Sequence, residues 1–282
     1  MFAIPKPEFP PNLVFDMCVE SIANEDLKRR LRAVALNIKH IGNFYHYMAS
    51  EGMLHDVKPA RQTRDTEVII GQVTRGELRS LYKAQMVQKN KAAREIYDQL
   101  CAAADDEKCP TCGVSVVSTI DHFLPKSTFP WFSVLPENLV PACRECNSEK
   151  LAKAADDGQS FHPYYDIAPL MREQWLFAEI DRTSPLSARY FVRPPQHWGA
   201  LSVRRAENHF RDYGLGSKFA KHAGAELTEL ANTFRDPPMT PAEIRDALGR
   251  RLRAVRKSRC NSWKVALLQA LLNCHWFCAL EF

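Results

Sequence analysis

Residues 109–147 decide the fold, and they read CPTCGVSVVSTIDHFLPKSTFPWFSVLPENLVPACRECN. The stretch holds two Cys-x-x-Cys pairs with thirty residues between them. Two residues between cysteines let both sulfurs reach one tetrahedral ion at ~2.3 Å. An accidental spacing, a redox pair and an iron–sulfur cluster are the alternatives, but two correctly spaced pairs favour a metal site. A structural zinc ion is therefore predicted on Cys109, Cys112, Cys143 and Cys146.

The segment between the pairs predicts two strands. Residues 114–120 are β-branched and alternating, and they lead directly into Asp121 and His122. A short second strand is expected over residues 137–141, and it runs into the second cysteine pair. Asn147 directly follows Cys146, and Lys150 lies about one helical turn further on. A carboxylate, an imidazole and an amide are thus tied to a predicted zinc site.

This order of residues resembles the HNH endonuclease family in its four-cysteine zinc variant. The resemblance covers about residues 105–165 and rests on Asp-His, then Asn-Leu-Val, then Cys-x-x-Cys-Asn-x-x-Lys. It implies a ββα-metal finger, also called a His-Me finger, in which two antiparallel strands and a helix grip a divalent ion. The fold class expected for the whole chain is mainly α with this small zinc-stapled module, or α+β overall.

The resemblance also implies a role for each residue of the pattern. His122 takes the position of the general base, and Asp121 that of the neighbouring metal ligand. Asn138 takes the position of the residue that holds the loop orienting the base. Asn147 stands where many members have histidine; its amide oxygen suits Mg²⁺ or Mn²⁺ better than a catalytic zinc.

Three further residues could contact phosphate. His162 lies in a Phe-His-Pro-Tyr segment that often follows the motif, and a core histidine is the equal alternative. Lys126 and Lys150 flank the pattern, but exposed lysines are more often simply solvated.

Composition sets wide limits on function. The chain has 282 residues and a formal net charge of +5. That charge is compatible with a nucleic-acid partner but is too small to predict one. No apolar run reaches the ~18–20 residues needed to span a bilayer, and the first residues do not resemble a signal peptide. We therefore expect a soluble, cytoplasmic protein with no membrane partner, in which paired cysteines indicate metal binding before disulfides.

The flanking regions predict helices. Residues 1–104 are expected to be a helical scaffold or partner-binding region, with helix starts at Asn24 and at the capping box of Thr74. Residues 166–282 are expected to be mostly helical, with strands at 175–181 and 188–192 and another capping box at Thr240.

Two motifs in the C-terminal region remain open. The basic residues of 245–259 could lie along nucleic acid or bind an acidic partner, while a solvated helix face is the ordinary explanation. The motif Cys274-His275-x-x-Cys278 could form a second metal site, but the apolar residues around it favour a position in the buried core or in a protein interface.

These observations predict a metal-dependent endonuclease that hydrolyses phosphodiester bonds in DNA, with RNA also open. Restriction or anti-phage defence is the expected setting, because proteins that show this pattern occur there. Some of those proteins, in Septu-type and retron-associated systems, work beside an ATPase. The chain has no Gly-x-x-x-x-Gly-Lys motif, so any ATPase would be a partner subunit. The alternative is a non-catalytic zinc module that binds nucleic acid or protein.

Overall fold

The computed structural model describes residues 1–149 and 158–282. About half of the chain is helical, and its strands form two-stranded antiparallel sheets, so the fold class is α+β. The chain divides into two compact units, one of residues 3–165 and one of residues 1–2 with 166–282. The regions 1–104 and 105–165, treated separately on the sequence, share the first unit apart from residues 1–2. No helix in the described part of the chain is both long and apolar enough to cross a membrane.

The unit of residues 3–165 contains six helices and four strands among its described residues, besides short 3-10 segments and a π-helix. In chain order they are α1 (Leu13–Glu20), α2 (Glu25–Arg32), α3 (Ala35–Ser50), β1 (Val68–Ile70), β2 (Val73–Thr74), α4 (Arg75–Leu81), α5 (Arg94–Ala102), β3 (Thr119–His122), β4 (Leu139–Ala142) and α6 (Arg144–Glu149).

Local capping signals correctly predicted where helices start in this unit. The side chain of Asn24 accepts a hydrogen bond from the Leu27 amide at 2.9 Å, and Thr74 forms a complete capping box with Glu77. The sequence pattern predicts one helix from Asn24 to about residue 48 and another from Thr74 to about residue 104, and both of these lengths are wrong. The helix begun at Asn24 breaks at Val34, which is buried in the core, and the helix begun at Thr74 passes into a π-helix, Tyr82–Met86.

One hydrophobic core joins the N-terminal helices to the hairpin of β3 and β4. Side chains of α1, α4 and α5 pack in the same cluster as Ile120, Val134 and Leu139. α5 contacts both strands of the hairpin. The hairpin and the cysteine pairs around it are therefore supported by a core much larger than 105–165 could build alone.

The hairpin is shorter than its β-branched sequence predicts. β3 pairs with β4 from Thr119 opposite Ala142 to His122 opposite Leu139. Residues 114–118 were expected to extend β3. The Ser118 amide does donate to the Ala142 carbonyl of β4 at 3.0 Å, but the backbone before it turns back toward the preceding loop: the Ser115 carbonyl accepts from the Cys109 amide at 2.9 Å, and the Val117 amide donates to the Glu107 carbonyl at 2.8 Å. Closure of the first cysteine loop thus overrides strand propensity there.

The unit of residues 1–2 and 166–282 is a hairpin surrounded by helices. Its elements are α7 (Ile167–Met171), β5 (Leu176–Asp181), β6 (Ser187–Val192), α8 (Ala200–Asp212), α9 (Leu215–Arg235), α10 (Pro241–Arg256), α11 (Trp263–Leu272) and α12 (His275–Cys278). The predicted strands and the predicted capping box of Thr240 are present.

Buried polar contacts fix this hairpin against α11. The buried Asn261 accepts from the Trp175 amide at 2.8 Å and donates to the Glu173 carbonyl at 2.7 Å. α11 is apolar on nearly every side and packs against β5 and α10. The helical region after Thr240 is divided into α10, α11 and α12, and Asn261 holds the chain in a turn between the first two.

Candidate functional site

The two cysteine pairs are positioned by different local structures. The first pair lies in a tight loop that closes through the Gly113 amide, which donates to the Cys109 carbonyl at 2.7 Å. Gly113 has a φ of 70°, a conformation that costs a glycine little. The second pair follows β4 directly and opens α6, and the Cys146 amide points at the Cys143 sulfur at 3.4 Å.

The four cysteine side chains converge on one buried point, as their spacing predicts. Their sulfur atoms all lie within 4.8 Å of one another, and those of Cys112 and Cys143 are 4.0 Å apart. A tetrahedral zinc ion with Zn–S bonds of ~2.3 Å requires sulfur separations of roughly 3.8 Å. All nine cysteines of the chain are free thiols. The cluster could therefore hold a metal ion such as zinc with small adjustments.

The cysteine side chains of the cluster are hydrogen-bonded to one another. Those hydrogen bonds lower the pKa of Cys112 and Cys143 and raise the pKa of Cys109 and Cys146. Thiolate is the form that binds a metal, and four thiolates would fill a tetrahedral coordination sphere. Such an ion has no open position for water, so its contribution is to tie the loop before β3 to the start of α6.

His122 ends β3, and one of its ring nitrogens is hydrogen-bonded to a backbone carbonyl. Only 5% of its surface is exposed, and its Nε2 lies 2.8 Å from the carbonyl oxygen of Ser133. A carbonyl can only accept, so Nε2 carries a proton, and in the neutral form of the ring the lone pair would be on Nδ1. The tautomer and the ring direction are thus set by the loop that carries Ser133.

Asn138 braces that loop. Its side chain is completely buried, accepts from the Leu124 amide at 2.7 Å, and donates to the carbonyls of Leu124 at 3.0 Å and Phe132 at 3.1 Å. Phe132 immediately precedes Ser133, whose carbonyl holds His122. Asn138 consequently joins the two ends of the loop that carries the Ser133 carbonyl.

Asp121 and Asn147 lie on elements that contact each other. Asp121 is partly buried and pairs with Val140 in the hairpin, next to His122 in the chain. Asn147 is exposed on α6, which packs against β3. Within residues 1–149 and 158–282, the four cysteines are the group of three or more His, Cys, Asp or Glu side chains that converges as a metal site. For a divalent cation, Asp121 would supply one carboxylate oxygen and Asn147 one amide oxygen.

Tyr82 is a neighbour of this histidine that the sequence did not indicate. Its ring meets the His122 ring edge-on with centroids 4.4 Å apart, and its hydroxyl donates to the Ile120 carbonyl at 3.2 Å. On the sequence, Tyr82 belongs to the apolar stripe of a helix. No signal in the sequence marks Tyr82; in the structure a π-helix starts at this residue, and π-helical turns are frequent at functional sites.

Lys126 is one of the residues predicted to contact phosphate. The ammonium of Lys126 lies 5.0 Å from the centre of the Tyr82 ring, close to His122, and burial together with the charge of Arg79 lowers the pKa of Lys126. Lys150 lies outside the described residues.

His162 has the environment of a core histidine. It is completely buried, its Nε2 is 3.1 Å from the Tyr45 hydroxyl, and its Nδ1 accepts from the Tyr164 amide at 3.2 Å. Its ring lies 4.0 Å from that of Phe123. Of the two open interpretations, this packing favours the structural one over a phosphate contact.

Comparison with known proteins identifies a phage protein as a relative. Protein ea31 of Escherichia phage lambda is 35% identical over 190 residues, a match that covers 66% of this chain and 64% of the relative. The chain thus spans somewhat less than two thirds of that protein, whose name states no activity. No known family profile matches the chain, and no solved structure matches it.

Proposed function

We propose that this chain is a metal-dependent endonuclease of the HNH type that hydrolyses phosphodiester bonds in DNA. The observation that carries the proposal is the His122 tautomer: Nε2–H donates to the Ser133 carbonyl, so the basic Nδ1 belongs to a ring held in place by the Asn138-braced loop. A histidine with a fixed direction and a basic nitrogen is what a general base requires.

The residues around His122 support the same chemistry. Nδ1 of His122 would take a proton from a water molecule as that water attacks phosphorus. Lys126, which lies over the Tyr82 ring, would place positive charge near the phosphate. Asn138 would act indirectly, because it donates to a backbone carbonyl of the loop whose Ser133 carbonyl contacts His122.

Asp121 and Asn147 fit a hard divalent cation such as Mg²⁺ or Mn²⁺. Both offer oxygen ligands, one from the hairpin and one from the helix packed against it, and two protein ligands leave positions for water and phosphate. When bound, the cation would stabilise negative charge on the phosphate and the leaving oxygen. Zinc on the four cysteines would serve only to hold β3 and α6 together.

Cleavage by the purified chain tests the proposal. We expect nicking or linearisation of supercoiled plasmid in Mg²⁺ or Mn²⁺ and none in EDTA, with single-stranded DNA and RNA as parallel substrates. The same assay should include any proteins that co-purify from the native host, because a defence system would add an ATPase subunit; a pull-down without an ATPase would count against that part. Metal-independent binding without cutting of any substrate would favour the non-catalytic zinc module instead.

A further inference from the structure

The positive charge of this protein is concentrated in the unit of residues 1–2 and 166–282. That unit holds 18 lysines and arginines against 12 aspartates and glutamates, a net charge of +6, whereas residues 3–165 hold 20 against 21 and net −1. The whole excess over neutrality therefore lies outside the unit that contains the cysteine cluster and His122.

Helix α10 and its C-terminal cap carry the densest part of this charge on one face. With 3.6 residues per turn, the positions of the exposed basic residues fall within about 140° of the helix circumference. The opposite side, with Ile244 and Leu248, is buried. The basic face spans about 18 Å along the axis at 1.5 Å per residue. Its exposed basic members are Arg245, Arg250, Arg253, Arg256 and Lys257.

The acidic side chains of this helix do not neutralise the face. Glu243 is engaged in the capping box with Thr240, and Asp246 pairs with Arg250. Four cations remain that form no ion pair or side-chain hydrogen bond with any residue the structure describes. They are Arg245, Arg253, Arg256 and Lys257.

We propose that this face of α10 binds the phosphate backbone of duplex DNA. Three of its four unpaired cations are arginines, whose planar guanidinium groups can donate two hydrogen bonds to one phosphate. Phosphates follow one another closely along each strand, so a face about 18 Å long can contact several of them. A surface of this kind recognises no sequence; it supplies affinity and position. The choice of DNA over another polyanion rests on the proposed function.

The test removes the four unpaired charges and measures binding without cleavage. Binding of a fluorescent duplex is followed by anisotropy over a series of KCl concentrations, with no added Mg²⁺ or Mn²⁺ and no chelator that would remove the zinc. Because each phosphate contact contributes about −0.9 to the slope of log K against log[salt], we expect the slope to become shallower by about 3–4. We also expect affinity at low salt to fall by roughly tenfold or more. The variant combines Arg245→Gln, Arg253→Gln, Arg256→Gln and Lys257→Gln.

A second variant with the same loss of charge provides the control. It changes four exposed lysines of other elements and should keep most of the salt slope and nearly all of the affinity. Equal losses in both variants would overturn the proposal in favour of a general charge effect, as would an unchanged salt slope in the α10 variant. The control combines Lys39→Gln, Lys58→Gln, Lys89→Gln and Lys221→Gln.

Two further arms separate the remaining outcomes. The first arm measures binding of labelled polyglutamate. If the wild-type protein binds polyglutamate more tightly than it binds the duplex, and the α10 variant loses that binding, the proposal is overturned in favour of an acidic protein partner. His122→Ala should bind the duplex as wild type does. Loss of duplex binding in the α10 variant therefore supports this surface even if wild type cuts nothing, and unchanged binding overturns it even if wild type cuts DNA.

Discussion

Replacing His122 with alanine should lower the rate of DNA cleavage by about 10²- to 10⁴-fold, the contribution expected of a general base. In the proposed mechanism the Nε2–H of this ring donates to the Ser133 carbonyl, and Nδ1 would be the nitrogen that takes a proton from water. The rate is measured on supercoiled plasmid in Mg²⁺, with zinc content and the thermal unfolding midpoint recorded on the same preparation.

An exposed histidine provides the matched control for this substitution. His40 lies on the solvent side of α3, and His40→Ala should leave cleavage, zinc content and the unfolding midpoint unchanged. Full activity in His122→Ala would remove the base assignment. Loss of activity accompanied by loss of zinc or of the folded state would mean that His122 supports the structure only.

Replacing Cys143 with serine should release the metal and destabilise the protein together. Serine cannot supply the thiolate that completes the tetrahedral set, and the cluster joins the end of β4 to α6 and to the first cysteine loop. We expect zinc to fall from about one ion per chain to nearly none, and the free energy of unfolding to fall by about 4 kcal/mol or more. Metal analysis and thermal unfolding measure the two quantities.

A cysteine outside the cluster is the control for that variant. Cys274 is a partly buried free thiol, and Cys274→Ser should retain both zinc and most of the stability. A stable Cys143→Ser protein that lacks zinc would contradict the structural role of the metal. Iron with visible absorbance in the wild-type protein would instead support the iron–sulfur alternative.

Local signals in the sequence predicted much of this structure. The cysteine cluster follows from two short spacings, and the helix starts at Asn24, Thr74 and Thr240 follow from side chains that bond their own helix. The antiparallel pairing of β3 with β4 is what the resemblance implies, and it was not predicted from the residues alone. The helix starts and each cysteine pair are determined by residues close together in the chain.

Features that depend on distant residues could not be read in the same way. Residues 114–118 have strand composition, yet Ser115 and Val117 hydrogen-bond within the cysteine loop instead of extending β3. His162 is a core residue because Tyr45, more than a hundred positions earlier, meets its ring. Tyr82 looks like an apolar helix residue until the fold brings it against His122. In each case a long-range contact, absent from the local pattern, decides the role.

Locating bound metals by anomalous diffraction tests the central claim most directly. Crystals grown with Mn²⁺ and a DNA duplex, using the His122→Ala protein to prevent cutting, should give two separate peaks. One, at the zinc absorption edge, should lie among the four cysteine sulfurs, and the other, from manganese, should be bound by Asp121 and Asn147 beside position 122. A zinc peak without any manganese between those two side chains would contradict the catalytic assignment.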